Sequence, residues 1–125
     1  MKGIAFLFFL TAVLCVSIGM GWGIQMSASK DHSLYGAHAH LNLVGWATMG
    51  LFGLYYAVTP QAAQGILPKI HYALALSGVI LMVIGIVFVL TERSEIPVVI
   101  GSILTIGSML VFLYTVFRNG IGRTA

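Results

Sequence analysis

Four long apolar runs, Gly3 to Met26, Tyr35 to Val58, Ile70 to Leu90 and Ile96 to Phe117, constrain this chain more than any other feature. Each is about 20 residues or slightly longer, enough to cross a hydrocarbon core of ~30 Å as an α-helix. The runs are continuous rather than alternating, and four strands could not close a barrel, so strands are excluded. The connections, Ser27 to Leu34, Thr59 to Lys69 and Thr91 to Glu95, are short and polar, and Pro60, Pro68 and Pro97 fall at segment ends, where proline is tolerated. The pattern predicts an all-α membrane protein: one domain over 1–125 with four transmembrane helices at about 3–26, 35–58, 70–90 and 96–117.

Composition agrees. Only 7% of the residues are charged and 59% are hydrophobic, against roughly 25% charged in a soluble domain. Such a chain cannot clothe itself in a water-facing surface, and the expectation is an integral protein of a bacterial or archaeal inner (cytoplasmic) membrane. The net charge of +3 comes from six scattered basic residues, which do not form the basic patch that nucleic acid requires. Cys15 is the single cysteine, so no intrachain disulfide can form. The first run carries Lys2 and small residues after it, as a signal peptide would. Its apolar core exceeds the usual ~7–15 residues, and Leu14 before Cys15 fits a lipoprotein cleavage site poorly, so it is kept as the first helix. With the N-terminus inside, Lys2, Lys69, Arg118 and Arg123 face the cytoplasm, while Lys30, Arg93 and all three acids, Asp31, Glu92 and Glu95, face outward. Both termini are therefore expected to be cytoplasmic.

Against this background the opening of the second run stands out: His38-Ala39-His40-Leu41-Asn42-Leu43-Val44-Gly45-Trp46. Ionisable groups in membrane segments are costly and are functional candidates by default. On a helix, residues two apart are separated by about 200°. His38 then shares a small, partly polar face with Asn42, Gly45, Met49, Gly53 and Tyr56, and His40 shares an aliphatic face with Leu43, Ala47, Leu51, Leu54 and Val58. Two ligands pointing opposite ways do not chelate one zinc, for which i and i+4 on one face is the helical solution. They suit two separate groups, and a porphyrin iron is the natural candidate. Asn42, Ser33 or a free carbonyl near the helix start could accept the hydrogen bond that orients such an imidazole.

Histidines at a membrane interface often contact headgroups, and Trp46, Tyr55 and Tyr56 resemble an ordinary aromatic belt. His32 is expected to be solvated in its loop and His71, next to Lys69, to be interfacial. If both helices span fully, His40 and His71 lie roughly 25–30 Å apart along the membrane normal, too far to clamp one iron. A second axial ligand must come from another chain, from a small exogenous ligand, or from nothing.

The stretch from His38 to about Gln61 resembles the histidine-bearing helices of subunit I of haem-copper oxidases and nitric oxide reductases. In that family an HxH pair ligates two haems, and the subunit consists of three similar four-helix arcs around a pseudo-threefold axis. The resemblance implies a single-arc relative that binds haem b, with His38 resembling the ligand of the gas-reactive haem and His40 that of the electron-transferring haem. The family's copper-binding histidine pair has no counterpart here, nor has a second ligand-bearing helix, so full oxidase turnover is not expected of one chain.

The candidate cofactor contacts are thus His38, His40, Asn42, Gly45, Trp46 and Met49, with His38 and His40 as ligands to the haem iron and His32 and His71 as further metal candidates. The leading function is electron transfer or binding of a diatomic gas, O2 or NO, by a b-type haem protein in the lipid bilayer. The competing readings are a non-haem protein holding copper or zinc through His32, His38 and His40, and a cofactor-free accessory subunit. A homotrimer, completing three arcs, is the expected assembly, with a dimer next. Nothing in the sequence points to the electron donor.

Overall fold

The computed structural model describes residues 3–124; Lys2, used above for orientation, lies outside them. It contains four long helices: α1 (Ile4–Ser29), α2 (Tyr35–Val58), α3 (Leu67–Leu90) and α4 (Ile96–Asn119), with a short 3₁₀ turn at Pro60–Ala63. There is no strand among the described residues. All four helices are long and apolar enough to cross a membrane; a helix of 24 residues rises about 36 Å, ample for the hydrocarbon core. α2 has the bounds expected from hydropathy, while α1 and α4 run on past their apolar stretches and α3 begins about a turn early, its first turn containing Pro68.

The helices alternate in direction, which brings the two ends of the described chain together: Gly3 and Arg123 line one cleft. α1 packs along α2, α3 pairs with α4, and the start of α2 meets the end of α3. The α3–α4 seam is set by glycines. A Cβ on Gly85 would collide with the Val98 backbone, one on Gly101 would stand 2.5 Å from Met82 N, and one on Gly78 would stand 2.7 Å from Thr105 Oγ1. Small residues at these positions let two backbones approach closely, which is how helices associate without a hydrophobic driving force. The outward surface is correspondingly apolar, with Leu14, Ile18, Ile24, Leu51, Ile103 and Leu113 all exposed, as a lipid-facing bundle requires.

The core lies toward the end that carries the termini. Phe8 of α1, Phe52, Tyr55 and Tyr56 of α2, Ala75 and Val79 of α3 and Phe112 of α4 converge there. This corrects two expectations. Tyr55 and Tyr56 are buried rather than part of an interfacial belt, and His71 is 0% exposed rather than interfacial. The cause is convergence: the rings of Phe8, Phe52 and Phe112 lie 4.9, 4.4 and 5.5 Å from the imidazole. Thr11 Oγ1 and the Tyr72 hydroxyl share a hydrogen bond at 2.7 Å that ties α1 to α3.

At the opposite end, α1 stops at Lys30 in the left-handed conformation (φ 59°). The Ser33 N–H donates to Asp31 Oδ1 at 3.0 Å, and the backbone and hydroxyl of Ser33 hold the exposed Asp31 carboxyl below its ordinary range.

Candidate functional site

The helix that carries the histidine pair is not uniform. Tyr35–His40 is α-helical, Leu41–Thr48 is wound as a π-helix, and α-helix resumes at Met49. The Thr48 hydroxyl donates to the Leu43 carbonyl, five residues back, at 2.9 Å. A π-wound stretch is rare and tends to mark functional positions; here it begins directly after His40. Sequence reasoning did not find it, because apolar periodicity over eight residues cannot separate the two windings.

The pair is divided between two sides of α2. His38 turns inward against α1. Its Nε2–H donates to the Gly19 carbonyl at 2.9 Å, its ring meets Trp22 edge-on at 5.8 Å, and a Cβ on Gly23 would stand 3.3 Å from Nε2. An α1 of larger residues could not admit the imidazole. Asn42 lies one turn on, with Nδ2 3.5 Å from the same nitrogen. Its Oδ1 is buried without a partner and occupies the space that a side chain at Gly19 would need. Gly45 faces Cys15, whose Sγ would lie 2.8 Å from an added Cβ, and Met49 is 1% exposed. The glycine-lined face of α2 is therefore filled by α1. Asn42, Gly45 and Met49 sit in a helix–helix seam, with no room for a flat macrocycle beside them.

His40 is placed differently. Its Nδ1–H donates to the Gly36 carbonyl one turn back at 2.8 Å. Of the acceptors considered for orienting an imidazole, a backbone carbonyl near the helix start is thus the one that His40 uses. That bond fixes the tautomer, with the proton on Nδ1 and the lone pair on Nε2. No hydrogen bond from the described residues reaches Nε2, and that atom is not sealed from the outside. Below it the aliphatic face expected for His40, with Leu43, Leu51, Leu54 and Val58, is exposed, as is Trp46. His38 offers no free Nε2 in this packing.

The other two histidines stand apart. His32 is exposed in its loop, as expected. His71 Nδ1 shares a hydrogen bond with the Tyr56 hydroxyl at 2.8 Å, and its Nε2 is buried with no partner. Among the described residues no three of His, Cys, Asp and Glu come together as a metal-binding group, so His32, His38 and His40 do not form the three-ligand site that a non-haem copper or zinc protein would use. The buried Tyr56–His71 pair escaped the sequence reading, although a polar residue just inside an apolar run was available as a signal.

Compared with protein families, with curated proteins and with solved structures, the chain matches none.

Proposed function

We propose that this chain is a membrane b-type haem protein that serves electron transfer or the binding of a diatomic gas, with His40 as an axial ligand. One observation supports the reading: the His40 ring is held through Nδ1–H on the Gly36 carbonyl at 2.8 Å, and no hydrogen bond from the described residues reaches its Nε2. A haem held by His40 would supply a one-electron couple and a place for a diatomic gas. The chain supplies the imidazole, sets its orientation through Gly36, and excludes water with Leu43, Leu51 and the surrounding lipid. Covalent c-type attachment is not expected, since it takes a C-x-x-C-H pattern and Cys15 is the single cysteine.

An absorption spectrum of the purified protein tests this. A Soret band with sharp bands on reduction is the expected result, and its absence from protein expressed with an adequate haem supply would refute the proposal. Metal without a Soret band would favour the non-haem reading.

A second reading has its own support. His38 and His71 both serve contacts inside the bundle, through Gly19 and Tyr56, and if His40 binds nothing the chain is a cofactor-free accessory subunit. Protein with neither a Soret band nor bound metal would favour this reading.

The proposed orientation puts both termini in the cytoplasm of a bacterial or archaeal cell. The end of the bundle with the termini carries Lys69, Arg118 and Arg123, against Lys30 and Arg93 at the other, and basic residues favour the cytoplasmic side. A cysteine introduced at Ser33 should react with an impermeant thiol reagent added outside, and one at Thr124 should not; the reverse pattern would invert the topology.

A further inference from the structure

At the end of the bundle that carries the termini, a cleft of ≈ 590 Å³ opens between the first turns of α1 and the last turns of α2. Its size lies within the about 300–1,000 Å³ typical of ligand sites. Its origin is visible in the side chains. α1 and α2 touch at Gly53, where a Cβ would stand 3.0 Å from Phe9 N and 3.1 Å from Ala5 O. One turn further on, α2 presents only Ala57, and the chain then continues through Pro60 to Ala63. These short side chains leave the space beyond Gly53 open, walled by Ile4, Phe9 and Leu54, with Gln64 and Arg123 at the rim.

Arg123 is set there by the fold. The chain after α4 turns back onto the 3₁₀ turn. The Tyr55 hydroxyl donates to the Gly120 carbonyl at 2.6 Å, Gln61 Nε2 donates to the Gly122 carbonyl at 2.9 Å, and the Gly122 N–H donates to Thr59 Oγ1 at 2.9 Å. Thr59 is fully buried, so the residue before Arg123 is tied to the core through its N–H and to the 3₁₀ turn through its carbonyl. All three acidic residues, Asp31, Glu92 and Glu95, lie in the loops at the opposite end. Arg123, Arg118 and Lys69 therefore gather at an end with no acidic side chain among the described residues. Arg118 lines a second, smaller cleft on the other side of Gln61 and Gln64.

We propose that the α1–α2 cleft is a site for an anionic phospholipid, with an acyl chain lying against Ile4, Phe9 and Leu54 and the headgroup phosphate held by Arg123. An apolar cleft that opens at the end of a membrane span is filled from the bilayer, and a guanidinium at an end with no acidic side chain among the described residues favours a headgroup with net negative charge. Arginine suits phosphate through its planar fork of donors, and basic pockets between membrane helices are a known way of holding anionic lipids. This inference does not rest on the haem reading.

Native mass spectrometry of the full-length protein tests it, after exchange into detergent with equal amounts of phosphatidylglycerol and phosphatidylcholine of matched chains. Phosphatidylglycerol should be retained preferentially. Arg123→Gln should lower its retention roughly fivefold, the worth of one basic residue at a charged membrane surface, and leave phosphatidylcholine unchanged. Ala57→Phe, which fills the cleft, should lower retention of both lipids, while Lys30→Gln at the opposite end should change neither. Both Arg123 and Ala57 are exposed, so these variants should fold; should Ala57→Phe fail to, Arg123→Gln decides alone. Equal retention of the two lipids, an unaltered preference in Arg123→Gln, or undiminished retention in a folded Ala57→Phe would each overturn the proposal. So would displacement of the lipid by millimolar inorganic phosphate, which marks a free-phosphate site, or a lipid-free oligomer whose cleft is covered by a second copy.

Discussion

His38 donates its Nε2–H to the carbonyl of Gly19 at 2.9 Å, and this one bond separates the roles of two histidines that look equivalent in sequence. It spans α1 and α2 in the middle of the α1 helix, at a carbonyl that the missing side chains of Gly19 and Gly23 leave accessible. His40, two residues on, makes only a bond within its own helix. One imidazole is committed to holding the bundle together, and the other is oriented and left available.

The two histidines should therefore fail differently. His40→Ala should abolish or strongly change the haem spectrum with little change in thermal stability. His38→Ala should keep the spectrum and lose about 1 kcal/mol, the net worth of one hydrogen bond. Spectra and thermal melts of the two variants in one detergent check this. A spectrum lost in His38→Ala and kept in His40→Ala would reverse the assignment.

The glycines give a second test with a built-in control. Gly85→Ala and Gly101→Ala place a methyl group against the backbone of the partner helix, where neither side can yield, and each should cost about 1–3 kcal/mol. Gly107→Ala lies in the same helix as Gly101 but meets nothing within 4 Å. It should be neutral or gain up to about 1 kcal/mol from the lower backbone entropy of the unfolded chain. Thermal unfolding of the three variants separates tight contact from the general effect of removing a glycine.

The Tyr56–His71 pair predicts a non-additive result. The two groups share a hydrogen bond at 2.8 Å inside a cluster of aromatic rings, and His71 Nε2 already lacks a partner. Tyr56→Phe leaves a fully buried imidazole with no hydrogen bond at either nitrogen and should cost about 1–3 kcal/mol. Combining it with His71→Phe removes the orphaned polar group as well, so the double variant should be less destabilised than the sum of the single ones. Strict additivity would show that the bond contributes nothing.

How much of this was legible follows the range of each signal. Hydropathy is read residue by residue along the chain, so the four helices and the bounds of α2 could be found without the structure. The opposite directions of His38 and His40 follow from local helix geometry and could be derived too. The burial of His71 could not. Lys69 beside it reads as an interface, and what encloses the ring comes from Phe8, Phe52 and Phe112, one on each of the other three helices. For the same reason Tyr55 and Tyr56 looked like a belt. Their partners are a carbonyl at Gly120 and an imidazole at position 71, and no periodicity within α2 points to either. Asn42, Gly45 and Met49 were read correctly as a small, partly polar face, but the sequence does not say whether a cofactor or a neighbouring helix fills such a face.

The final prediction concerns assembly. Gly19, Gly23, Gly45 and Gly53 are occupied within the chain by Asn42, His38, Cys15 and the backbone of α1. What remains for a partner is the outer face of α2, where His40 stands above exposed Leu43, Leu51, Leu54 and Val58. An imidazole with an open nitrogen on a lipid-facing surface is poorly solvated by hydrocarbon, and an iron bound to it has no second protein ligand within the same chain. A haem site shared between copies satisfies both. We propose a homotrimer, with a twofold dimer, the commonest closed symmetry, as the alternative. In either case bound haem stabilises the oligomer by mass action, so His40→Ala should weaken assembly as well as haem binding, whereas Leu110→Ala on the exposed surface of α4 should do neither. Native mass measurement in mild detergent reads subunits and haems together: haem on oligomers only, with dissociation to monomers in His40→Ala, is the expected outcome. A haem-loaded monomer with an intact bis-histidine spectrum would rule out the shared site, whatever the symmetry.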